Sequence, residues 1–133
     1  MSALTDVFEN RVYDWLFRPG QAVTRPTTIF CGLFTAAGTP ESGTVTEVTG
    51  GSYARVDVTS AFGAPTNGAG SNTAAVTFAA PTANWGTVTH FGIFDASTGG
   101  NLIAYGTLSA SRVISNGDAA PSFAAGALTP SVQ

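Results

Sequence analysis

The spacing of hydrophobic positions changes once along the chain. In ALTDVFENRVYDWLFRPG the apolar residues Leu4, Val7, Phe8, Val12, Trp15 and Leu16 recur three and four positions apart, and Asp6, Glu9, Asn10 and Asp14 fall between them. That is the period of one apolar stripe on a helix. Ser2 or Thr5 can cap its start, acidic residues occupy its early turns, and Pro19-Gly20 ends it, so the pattern predicts a helix over residues 4 to 17. A helix this short is marginal in water by itself. Its stripe must therefore dock on the rest of the chain or on a neighbour.

After Pro26 the period shortens to two, with brief β-branched and aromatic runs separated by Gly, Pro, Asn and Ser. Strands are expected at 27 to 34, 46 to 49, 53 to 59, 74 to 78, 87 to 95 and 102 to 108. Shorter pieces are expected at 113 to 114, 122 to 123 and 128 to 132. With no helical pattern between strands, parallel βαβ units are excluded. The fold class is all-β: an antiparallel, jelly-roll-like β-sandwich of about eight strands with one N-terminal α-helix. The expected organisation is one domain over residues 1–133, with a helical arm at 1–20 and a sandwich body at 27–133. GAPTNGAGSN, residues 63 to 72, reads as a mobile surface loop. GLFTAAG (32 to 38) and GIFDAST (92 to 98) share a frame, as two equivalent strands of a pseudo-symmetric sandwich would.

The stretch THFGIFDASTGGN, Thr89 to Asn101, holds the only histidine and invites a chemical reading. Strand alternation puts Val88, His90, Gly92 and Phe94 on one face and Thr89, Phe91, Ile93 and Asp95 on the other. A base and its orienting carboxylate need hydrogen-bond contact, which alternation denies to His90 and Asp95. No serine lies in a G-x-S-x-G context, so His90 is expected to bond a backbone or hydroxyl group. STGGN matches neither phosphate-loop pattern and precedes a strand instead of a helix. Asp95 to Asn101 is expected to be a hairpin connection, with Gly99 and Gly100 taking positive φ.

Composition narrows the field further. Only 10% of the 133 residues are charged, against about a quarter in an average soluble domain. Apolar and aromatic contents of 44% and 11% still support a packed core. A net charge of −3, with five dispersed arginines and no lysine, offers no clustered positive field for nucleic acid. No apolar run is long enough to span a bilayer, and the acidic N-terminus is unlike a signal peptide. A soluble, unprocessed chain is expected. Cys31, the single cysteine, falls in phase with Ile29 and Leu33 as a core residue would. One His, one Cys and scattered carboxylates show no metal-ligand spacing, so neither metal, cofactor nor catalytic residue is assigned.

Four blocks carry a resemblance: LTDVFENRVYDWLFR with GQA, then GGSYARV, then TFAAPTANWGTVTHFGIFDASTGGNLIAYGTL, then NGDAAPSFAAGALT. In this order they resemble a family of small virion structural proteins of tailed bacteriophages and prophages, whose members are labelled capsid cement or tail fibre proteins. The resemblance spans nearly the whole chain and implies a non-enzymatic β-sandwich. The leading expectation is a capsid decoration protein on the outer surface of the shell, working as a homo-oligomer, dimer or trimer, against the major capsid protein. The alternative is a tail fibre or baseplate-associated protein contacting other virion proteins.

Candidate interaction residues are Val7, Phe8, Arg11 and Trp15 on the helix, and Trp85 in the body. Trp85, with polar neighbours such as Asn84 and Asp95, also raises a carbohydrate-binding module, if its ring is exposed. A hydrolase built on His90 is the remaining enzymatic reading.

Overall fold

The computed structural model of the chain describes residues 2–130. Eight strands, one α-helix and one short 3-10 helix (Pro40–Ser42) are found among them: β1 (Ser2–Leu4), α1 (Asp6–Phe17), β2 (Phe30–Thr39), β3 (Thr44–Glu47), β4 (Val56–Asp57), β5 (Val76–Thr77), β6 (Gly86–Phe94), β7 (Leu102–Ile114) and β8 (Ser122–Phe123). Every strand pairing is antiparallel. The large sheet runs β1-β7-β6-β2-β3, with β4 sharing the outer edge of β2, and the two-stranded sheet is β5-β8. The expected sandwich is therefore present, with unequal layers.

The main core lies between the layers and includes Cys31, Leu33, Val58, Phe78, Trp85, Phe91, Ile93 and Leu128. Cys31 is fully buried within it, and burial pushes its thiol up to about 12, because a thiolate there would lack solvation. On the other face of the large sheet, Phe34, Phe94 and Leu102 form a second cluster. Alternation along β2 and β6 supplies both clusters at once.

The repeated frame has a structural meaning. Gly32 and Gly92 are direct partners in the β2–β6 ladder, so Leu33 corresponds to Ile93 and Phe34 to Phe94 by a local two-fold relation. The Phe34 and Phe94 rings meet edge to face with centroids 5.8 Å apart. Glycine at 92 is what lets the Phe34 ring lie on the strand, since a Cβ there would run into that ring and into Leu102 Cδ1 at 2.7 Å. Gly92→Ala is expected to cost about 1–3 kcal/mol by overpacking, read by urea denaturation. A neutral result would mean the ring has room to move.

Several boundaries differ from those expected. The helix begins at Asp6 instead of residue 4, because residues 2 to 4 form β1 and pair with Ala104–Gly106 of β7. The two expected strands 102 to 108 and 113 to 114 are one strand, β7, bridged by irregular pairing to β6. A register shift between Val88 and His90 puts Val88 with Phe91 and Ile93 in the main core, correcting the face assignment made by strict alternation. Such a bulge adds a residue to one strand and reverses the phase beyond it. The 63 to 72 segment is pinned: the Gly63 amide donates to the Ser71 carbonyl, Thr66 and Ala69 exchange bonds, and the Gly70 amide donates to the Pro130 carbonyl. Leu128 to Pro130 is not a strand, and residues 131 and 132 of that expected strand lie outside the described residues.

Candidate interaction site

The N-terminal arm is fastened at its root. Thr5 is buried, its amide donates to the Ile103 carbonyl at 2.9 Å, and its hydroxyl donates to the Leu102 carbonyl at 2.6 Å. Thr5 occupies the N-cap position with extended φ and ψ, yet its side chain makes no cap bond. The hydroxyl that would ordinarily satisfy a free helix amide ties the helix to β7 instead.

Beyond that root the stripe runs off the body. Phe8 is 7% exposed, Val12 one turn later 38%, and Trp15 one turn further 69%. Leu16, Tyr13, Phe17 and Val7 are exposed as well. Tyr13 and Phe17 contact each other with ring centroids 5.0 Å apart, and Arg11 lies over the Phe8 ring at 4.5 Å while reaching the Thr24 carbonyl at 3.4 Å. Of the six stripe residues, the chain itself buries only Phe8, leaves Leu4 half-buried and leaves the other four exposed. Six of the seven exposed large hydrophobic side chains among the described residues belong to this one helix. Soluble monomers seldom concentrate apolar surface in this way.

Trp85 has a different fate. It is 5% exposed, its indole N–H donates to the Gly51 carbonyl at 3.0 Å, and its ring meets Tyr53 edge to face at 5.3 Å. It closes the end of the core and presents no face to a sugar or a partner, which corrects its assignment as an interaction residue and removes the carbohydrate reading built on it.

The remaining chemical candidates are likewise engaged in structure. His90 Nδ1 is 2.7 Å from the Thr89 hydroxyl. Asp95 accepts the Asn101 amide at 2.7 Å and its side-chain N–H at 3.1 Å, closing the hairpin in which Gly99 and Gly100 take φ of 59° and 69°. The two residues have separate hydrogen-bond partners. Among the described residues, no group of three His, Cys, Asp or Glu is placed to hold a metal, and no helix is long and apolar enough to cross a membrane.

Sequence reasoning missed the strongest polar feature. Arg55, its side chain 8% exposed, makes a bidentate pair with Glu47 at 2.8 Å for both bonds. Its third nitrogen donates to the Ala96 and Gly99 carbonyls at 2.8 and 2.9 Å, and its guanidinium lies 3.4 Å over the Phe94 ring. Tyr53 donates to Glu47 at 2.6 Å and accepts the Leu33 amide at 2.9 Å. Burial and the Glu47 carboxylate push that phenol well above its ordinary value. Tyr53 and Arg55 share strand phase, the only local sign that they act together.

Two apolar grooves flank the body. One, of about 350 Å³, opens beside β7 over Phe78, Phe91, Leu108 and Phe123, with Arg112 at its margin. The other, of about 850 Å³, lies between the root of the arm and the 59 to 70 segment, against Leu4, Phe8, Ile29 and Ile103.

Comparison with curated proteins finds no match. The family model described as "Podophage GP4 fiber I protein gp80" matches residues 3–131, nearly the whole chain, and takes in both the arm and the sandwich. A β-sandwich carrying an apolar helical arm fits such a structural component, and the chain belongs to the podophage GP4 fiber I protein gp80 family of bacteriophage structural proteins.

Proposed function

We propose that this chain is a non-enzymatic tail-fibre component of a phage virion. The sandwich acts as a stiff body, and α1 attaches it to a further copy or to another virion protein. The observation that supports this reading is the run of Val12, Trp15, Leu16 and Phe17 left uncovered on α1. Full burial of a large apolar side chain from full exposure gains roughly 1.5–3 kcal/mol, and each of these four would gain the share of it that is still exposed. Capsid decoration, the leading expectation from sequence, has less support, because the matched family is described as a fibre protein. The low charge of the surface suits packing against other subunits, since few long charged side chains need be ordered or desolvated.

Location tests the proposal. Gold-labelled antibody on intact particles should mark the tail and leave the shell unlabelled. Label spread over the shell would overturn it in favour of decoration. Trp15→Ala is expected to leave folding stability within about 0.5 kcal/mol, as an exposed substitution does. Incorporation into particles should fall at least about 30-fold if Trp15 is an aromatic anchor worth 2 kcal/mol. Normal incorporation would exclude α1 as the attachment element.

A further inference from the structure

We propose that the apolar face of α1 in one copy docks into the groove beside β7 of a second copy, with Glu9 of the first meeting Arg112 of the second. This rests on the reading of α1 as an attachment element and names its partner and contact surface.

Charge distribution chooses the occupant. Arg55 is paired with Glu47, Arg18 with Asp14, and Arg11 lies on Phe8 and Thr24; Arg25 is exposed and has no ion pair among the described residues, but it lines the other groove, which the arm's own Leu4 and Phe8 already line. Arg112 is exposed, forms no ion pair among the described residues, and is the sole charged residue lining its groove. On α1, Asp6 and Glu9 are exposed and ion-paired to no arginine among the described residues. Glu9, Val12 and Leu16 stand at i, i+3 and i+7, so the carboxylate sits on the same side of the helix as two uncovered apolar residues. The groove offers the matching set: an aromatic floor of Phe78, Phe91 and Phe123, Leu108 at its wall, and one cation at its margin. An amphipathic helix laid in an apolar groove is an established mode of recognition.

The two surfaces do not meet within one copy. The arm is rooted at Leu102 and Ile103, at the start of β7, whereas Arg112 lies near the end of that 13-residue strand. No α1 residue lines the groove. The contact therefore joins different patches of two copies: reciprocated, it makes a two-fold dimer, and unreciprocated, it closes into a ring or extends into a series according to the rotation between them.

Sedimentation of the full chain, with circular dichroism to confirm folding, provides the test. The wild type should self-associate reversibly. Arg112→Glu and Glu9→Arg should each weaken association by at least about tenfold through like-charge contact. The double variant, which restores opposite charges in exchanged places, should recover association to within about threefold of wild type. A monomeric wild type, unaltered single variants, or a double variant no better than the singles would overturn the proposal. If Trp15→Ala blocks particle incorporation while Arg112→Glu does not, α1 binds a different virion protein. Self-docking then fails, and the attachment reading stands.

Discussion

Arg55→Met is expected to cost about 3–5 kcal/mol, the range for removing one partner of a buried ion pair. The substitution keeps much of the side chain's bulk, so the loss is mainly electrostatic. Glu47 would lose both of its 2.8 Å bonds from the guanidinium while remaining partly buried. The Ala96 and Gly99 carbonyls would lose their shared donor, and the Phe94 ring its cation at 3.4 Å. Since Arg55 ties the 95 to 101 hairpin to the outer edge of β2, that hairpin should loosen first. Thermal denaturation should show a fall of roughly 4 °C per kcal/mol for a domain of this size, and hydrogen exchange should quicken at the Asn101 and Asp95 amides. A loss under about 1 kcal/mol would place the pair among ordinary exposed salt bridges and remove its structural role.

Asn72→Ala should rank beside it. Asn72 is almost wholly buried, and its side-chain N–H groups donate to the Ala74 and Ala124 carbonyls at 2.8 and 3.0 Å. Its side-chain oxygen accepts the Leu128 amide at 2.9 Å, while its backbone bonds Leu128 and Gly126. One residue thus holds the 124 to 128 segment against the body and seats Leu128, which is fully buried in the core. Alanine would strand three backbone groups, each costing about 1–3 kcal/mol if left unsatisfied, for a total of about 3 kcal/mol or more. Urea titration measures the sum. Exchange at the Leu128 amide gives the local reading, and unchanged protection there would show that another group replaces the lost acceptor.

Both effects bear on the proposed role. The body is braced by one buried ion pair on one face of the large sheet and by one amide hub below the other. The arm has little bracing past Thr5 and Phe8. A fibre component needs a stiff segment that transmits position and a sticky element that joins the next subunit. Stability and attachment should therefore be separable by mutation: Arg55 and Asn72 act on the first, Trp15 on the second.

Legibility differed from element to element. The helix stripe from Phe8 to Leu16 and the strands around Cys31, His90 and Tyr105 were readable because their apolar period is local. The Asp95 to Asn101 hairpin was readable because turn glycines and a short polar side chain demand it. β1 was not, since three residues carry too little pattern and are strand only through β7. The Glu47–Arg55 pair was equally hidden, Glu47 lying at the end of β3 and Arg55 just before β4, brought together on the same edge of β2.

By itself the sequence determined one helix followed by a β-sandwich, the separation of His90 from Asp95, and the family resemblance that the comparison bears out. Only tertiary structure decided that Trp85 is sealed in the core while Trp15 stands in solvent, that a bulge at Thr89 moves Val88 to the main core, and that Arg55 rather than a surface arginine anchors the hairpin. The reason is physical: periodicity along a chain says which side of an element is apolar. What covers that side depends on contacts between residues far apart in sequence, which no local pattern contains.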